Sequence, residues 1–298
     1  MPKCSNCGEL LTLAERAKRT SFCDKCAAVA EDRPDVGPPA GICAFCCGGP
    51  LTLEHVFPRW LADLLPKNKR VAGVLADPMK DKVVRVSAGI AYDAQARAVC
   101  GKCNNGWMSD LEAEAMPLIR PMTRGVITIP LQAESQGLLA RWAYKTALMV
   151  QYLQPEVLVP DTMYTRFYRD RKPSDDARVW VARYDGKVHP SGYHSYLLDA
   201  SGTTDAGVLH RGHIVGVTFH VDQLVFQVFD QDLPGSFGFD FAQDHQIARS
   251  TMLSVWPTGL GRQWPPRNTL DATGLDAVKR TFDNLADNAP TPVAPKSA

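Results

Sequence analysis

The chain has 298 residues, a formal net charge of +1, and 45% hydrophobic and 22% charged side chains. That is close to the average of a soluble globular protein of roughly two domains, and its near-neutral balance supplies no bulk attraction to nucleic acid or membrane. No apolar run approaches the ~18 residues that a bilayer span needs, which excludes that class.

The first residues, MPKCSNCGEL, lack the basic-then-apolar layout of a secretory signal. A cytoplasmic protein with no membrane partner is expected. All nine cysteines fall within the first 103 residues. Disulfides seldom persist in a reducing compartment, so clustered cysteine there points to metal. Cys4, Cys7, Cys23 and Cys26 form C-x2-C-x15-C-x2-C. Two residues between thiolates let both reach one ion from a tight turn, and two such turns complete a tetrahedron around zinc. Residues 1–30 are therefore read as a zinc ribbon. Residues 31–42, rich in Pro, Gly and acidic side chains, suit an exposed linker.

A second set, Cys43, Cys46, Cys100 and Cys103, repeats the paired spacing with 53 residues between the pairs. That gap calls for a folded insertion, stapled at its ends by a second zinc, so about two Zn2+ per chain are expected. Cys47 is the odd cysteine, either a spare buried thiol or a substitute for Cys46; the two-residue spacing favours Cys46. Apolar periodicity then predicts a helix from about Asn104 to Arg120, ending before Pro121. Trp107 and Leu111 lie one turn apart on its packed face. Residues 43–125 form one domain on this reading.

From residue 131 the character changes. SQGLLARWAYKTALMVQYL, 135–153, reads as an amphipathic helix with Leu138, Leu139, Trp142, Leu148 and Met149 among its apolar positions. RVWVARY (178–184), HSYLLDA (194–200) and HIVGVTFHVDQLVFQVF (213–229) read as strands, the last with a hairpin turn at HVD. LSVWPTGLGRQWPP, 253–266, reads as a strand leading into a proline-bounded loop. Residues 126–286 are expected to be an α+β accessory domain without a catalytic motif, and 287–298 a disordered tail. The histidines other than His55 show no ligand spacing; HRGH, 210–213, enters a strand.

The chemistry sits between the second cysteine pairs. GGPLTLEHVFPRWL follows the first pair and NNGWMSDLEAEA follows the second. Over about 43–112, CAFC, EHVFP and CGKCN together resemble the zinc-stapled HNH endonucleases. The resemblance implies an α+β chain with a ββα-metal, treble-clef-like finger that hydrolyses phosphodiester bonds in DNA, RNA not being excluded. It implies that Glu54 is a metal ligand, His55 the general base and Asn104 a further ligand. Such a hard, oxygen-rich site suits Mg2+ or Mn2+. Adjacent strand residues point to opposite sides, so Glu54 and His55 need a bend or twist to face one phosphate. The Asn that usually braces the finger is missing between Asn68 and Cys100; Asp93 is the stand-in. Asn105 is read as a helix cap and Glu112 as the partner of a base. Arg59, Lys67, Lys69 and Arg70 are either phosphate contacts or a solvated face. The alternative function is a zinc-dependent protein that binds nucleic acid or another protein without cutting, or works as one subunit of a larger assembly. Nothing in the sequence indicates the oligomeric state.

Overall fold

The computed structural model describes residues 41–64, 71–77, 82–89, 94–125, 127–154, 157, 159–186, 191–203, 209–232 and 250–279. The expected ribbon with Cys4, Cys7, Cys23 and Cys26, most of the linker and the expected tail lie outside them, as do Asn68 and Asp93. The described chain mixes helix and sheet, so the α+β class holds. No helix among the described residues is long and apolar enough to cross a membrane.

Strand β1 (Leu51–His55) pairs antiparallel with β4 (Gln95–Cys100). Between them lie the short helix α1 (Arg59–Ala62) and a hairpin of β2 (Val71–Asp77) and β3 (Lys82–Gly89). Strand β4 passes directly into a helical run: α2 (Gly101–Cys103), a wide π turn over Asn104–Met108, and α3 (Ser109–Thr123). Gly106 breaks the helical angles in that turn, with φ −102° and ψ −117°.

This run differs from expectation at both ends. It starts at Gly101 with Cys100 as its N-cap, so Asn105 is an exposed residue inside it and not a cap. It also continues past Pro121. Proline lacks an N–H, so Pro121 forgoes the bond to the carbonyl four residues back, as Pro117 does earlier in the same helix. Arg124 N–H bonds Pro121 O at 3.3 Å, and left-handed Gly125 (φ +66°) bonds Met122 O at 3.0 Å. The helix therefore stops at Thr123.

The main sheet has five antiparallel strands in the order β10 (Met252–Trp256), β6 (Arg178–Arg183), β9 (Leu224–Gln231), β8 (Leu209–Val221) and β7 (Ser191–Thr203). The predicted turn falls at Asp222, whose φ of +50° suits a tight hairpin. The expected loop after β10 contains one more strand, β11 (Arg262–Trp264), paired with β5 (Ile129–Leu131).

Helix α4 (Ala133–Val150) lies against β6, β8, β9, β10 and α3. An amphipathic helix was expected, but every residue from Trp142 to Val150 is buried. The reason is tertiary. Phe219 and Phe226 of the sheet meet Trp142 on one side, and Phe167 of α5 (Asp161–Asp170) meets Tyr144 on another. Period-two alternation splits the sheet's side chains. Val179, Val181, Phe226 and Val228 join the α4 side, while Trp180, Ala182, Val225 and Phe229 pack with Leu275 and Val278 of α6 (Ala272–Lys279).

One continuous core runs from Cys43, Phe45, Val56 and Phe57 through Met108 and Trp142 to Phe219 and Phe226. Phe57, from the EHVFP stretch, meets Phe219 of β8 at 6.0 Å. A buried polar knot braces the same region. Asp230 accepts hydrogen bonds from Arg166 (2.7 Å), Ser174 (2.6 Å), the Gln231 amide (2.8 Å) and the Tyr144 hydroxyl. Burial pushes the Asp230 carboxyl up, against the pull of Arg166.

Candidate metal centre and the Glu54–His55 strand

The turn at Cys43–Gly48 and the β4–α2 junction bring four sulfurs together. Ligand atoms of Cys43, Cys46, Cys100 and Cys103 all lie within 4.8 Å of one another. Cys46 and Cys100 sulfurs are 3.5 Å apart. A tetrahedral zinc shell with bonds of about 2.3 Å sets sulfurs roughly 3.8 Å apart, so the cluster matches it in size. None of the five described cysteines is in a disulfide.

Four thiols this close cannot all ionise unaided. Hydrogen bonds from Cys103 and Cys46 hold the Cys43 thiol down at about 2. Cys103 also pulls on Cys46, but Cys43 and burial outweigh it and push Cys46 up to about 12. Contacts with Cys43 and Cys46, together with burial, push Cys103 far above the thiol range. A soft divalent ion removes the conflict by holding every sulfur as thiolate. The four-cysteine cluster can therefore hold a metal ion such as zinc.

The turn geometry serves these sulfurs. Backbone N–H groups of Cys100 and Cys46 point to the Cys43 sulfur, and that of Gly48 points to Cys46. A Cβ on Gly48 would sit 3.3 Å from the Cys46 sulfur, so glycine allows the approach. Cys47 takes the left-handed position (φ +56°), its N–H bonding Cys43 O at 2.9 Å, and its sulfur is outside the cluster. Phe45, between the first two ligands, is fully buried and meets Trp107 edge-on at 5.1 Å and Tyr164 at 5.6 Å.

Glu54 and His55 end β1, opposite Ala96 and Gln95. A register shift lies between Thr52 and Glu54, just before the pair, while Glu54 and His55 themselves pair in regular register and so fall on opposite faces of β1. Glu54 is buried, at 7% exposure, and His55 is half-buried. Burial pushes the Glu54 carboxyl up to about 7; Lys145 opposes that rise and Glu112 adds to it. The His55 Nε2 lies 2.8 Å from the Gln95 side-chain amide, so Gln95 fixes the ring. With the amide nitrogen forward, Nε2 accepts and the neutral ring carries its proton on Nδ1; with the amide oxygen forward, the proton moves to Nε2 and Nδ1 becomes the basic nitrogen.

Asn104, the first residue after the last cysteine, reaches back to β1. Its Nδ2 donates to Thr52 Oγ1 at 3.0 Å and to Leu53 O at 3.2 Å. These two bonds tie the start of the helical run to β1 and leave the Asn104 Oδ1 for another partner.

Glu112 does pair with a base. Lys145 Nζ donates to Glu112 Oε1 at 2.6 Å, and Lys145 is fully buried. The sequence reading missed Lys145 as part of this neighbourhood. The available signal was a lysine inside the apolar run WAYKTALMV, since lysine is almost never fully buried unless paired. Gln95 carried no such signal, because only strand pairing brings it to His55. Arg59 is exposed, and Lys67, Lys69 and Arg70 lie outside the described residues.

No family model, no curated protein and no solved structure matches this chain.

Proposed function

We propose that the chain is a metal-dependent endonuclease of the HNH kind, cutting phosphodiester bonds in DNA. The observation that carries this reading is one juxtaposition. A desolvated carboxylate and an oriented imidazole end the same strand, and Asn104, one residue past the cysteine cluster, is hydrogen-bonded to that strand. His55 is the general base: with the Gln95 amide oxygen turned to its protonated Nε2, Nδ1 is the nitrogen that takes a proton from water. Glu54 and the Asn104 Oδ1 are the hard donors for Mg2+ or Mn2+, whose chemistry is to neutralise charge on the phosphate and the leaving oxygen. The raised Glu54 carboxyl supports a cation there, because a buried carboxylate lacking full compensation gains from one. The four-cysteine centre fixes the junction from which Asn104 projects.

A second reading, a binding protein that does not cut, is favoured by Lys145, which already offsets part of the Glu54 charge. A plasmid-nicking assay with Mg2+ or Mn2+ separates the two. Wild type nicks and His55→Ala loses at least about a hundredfold, the usual contribution of a general base. Equal nicking by both proteins removes His55 from the chemistry, and no nicking by wild type favours the binding reading.

A further inference from the structure

Backbone N–H groups reach Cys43 and Cys46, whereas the group that reaches Cys103 is a side chain. Trp107 lies four residues beyond Cys103, across the π turn that Gly106 breaks. Its indole Nε1 is buried with no partner at full hydrogen-bond geometry among the described residues. It lies near enough to the Cys103 sulfur to act on it as a donor. A buried N–H without an acceptor is unfavourable and calls for an explanation. A thiolate drawn onto a metal beside it is an acceptor of the right charge.

The ring cannot turn its N–H elsewhere. Phe45 and Phe167 meet it edge-on at 5.1 and 5.8 Å. The Arg171 guanidinium stacks 4.5 Å above its centroid and 4.1 Å from that of Tyr168. Arg171 holds this place from a left-handed backbone (φ +54°) that ends α5. A dication bound by four thiolates leaves a doubly negative centre. A guanidinium on the indole face both offsets that charge and polarises the ring toward stronger N–H donation.

We propose that Trp107 is a positioning residue of the four-cysteine centre. Its indole N–H steadies the Cys103 thiolate on a bound metal, while Arg171, stacked on the same ring, offsets the centre's negative charge. The proposal rests on the four-sulfur metal reading and is independent of nuclease activity.

The test uses the full-length chain loaded with Co2+, and separately with Zn2+. Trp107→Phe keeps an aromatic ring and removes the N–H. Its thiolate-to-cobalt band moves to lower energy than in wild type, because the thiolate is no longer stabilised. The N-terminal cysteines contribute equally to both proteins and cancel in the difference. In the zinc form, initial alkylation at Cys103, located by peptide mass spectrometry, speeds up about fivefold, the scale of one lost hydrogen bond. Cys4, Cys7, Cys23 and Cys26 serve as internal references. Arg171→Met moves the band in the same direction by less. An unmoved band with an unchanged labelling rate in Trp107→Phe overturns the proposal. If Trp107→Phe takes up no cobalt, Arg171→Met decides: a shifted band supports the proposal and an unmoved one overturns it. A wild-type protein with no thiolate-to-cobalt band overturns the metal reading itself, which is a different failure.

Discussion

At the scale of single residues, Glu54 carries the clearest pH signature. Burial raises its carboxyl from 4.5 to about 7. A raised carboxyl favours the protonated folded state, so its contribution is full below 4.5 and is lost as pH rises through about 7. Without added Mg2+ or Mn2+, the zinc-loaded protein should lose roughly 2 kcal/mol between pH 5 and pH 7.5 from this group. Glu54→Gln, neutral throughout, should lack that slope in urea titrations across the same range. Added Mn2+ should restore wild-type stability above pH 7 and leave Glu54→Gln unmoved. Parallel pH curves for the two proteins would remove Glu54 as the source. Glu54 and His55 were legible in EHVFP as a chemical pair. Their differing environments were not, because the register of β1 on β4 decides which one is desolvated and which one meets Gln95.

At the scale of elements, the Lys145–Glu112 bridge staples α4 to α3. A buried ion pair adds little over a hydrophobic replacement, but removing one partner strands the other charge. Lys145→Met should therefore cost about 3–5 kcal/mol in equilibrium unfolding. The double variant Lys145→Met/Glu112→Leu should recover much of that loss, since no lone charge remains at the bridge. A single variant as stable as wild type would show that the staple contributes nothing. The helix 135–153 and the strands 178–184 and 213–229 were readable from periodicity. The burial of α4 on all sides was not: amphipathic spacing marks one packed face, and α3, α5 and the sheet supply the others. The overrun of α3 through Pro121 has a similar cause: proline opposes the helix locally, and the burial of Ile119 and Met122 in the core favours its continuing.

At the scale of the whole molecule, the four-cysteine cluster is part of the main core. Phe45, set between two ligands, packs on Trp107 and Tyr164, and Phe57 packs on the sheet at Phe219. Stripping metal from the cluster should therefore disturb the distant sheet as well as the cysteine turns. A strong chelator should abolish the near-UV circular dichroism of the aromatic core and the folded protein's thermal transition together. A chelated protein that keeps its near-UV spectrum would show that the sheet and α4 stand without the centre.

The sequence by itself determined the cysteine spacing, the acid–His–Pro stretch and the mixed helix–sheet class, because each is a local pattern of residue type and period. Only the tertiary structure decided that four of those cysteines converge, that Asn104 braces β1, and that Lys145 stands behind Glu54 and Glu112. It alone placed Trp107 between Cys103 and Arg171. Those relations join residues far apart in the chain or on different helices. Strand register, helix phase and core packing set them, and no short stretch of sequence encodes those alone.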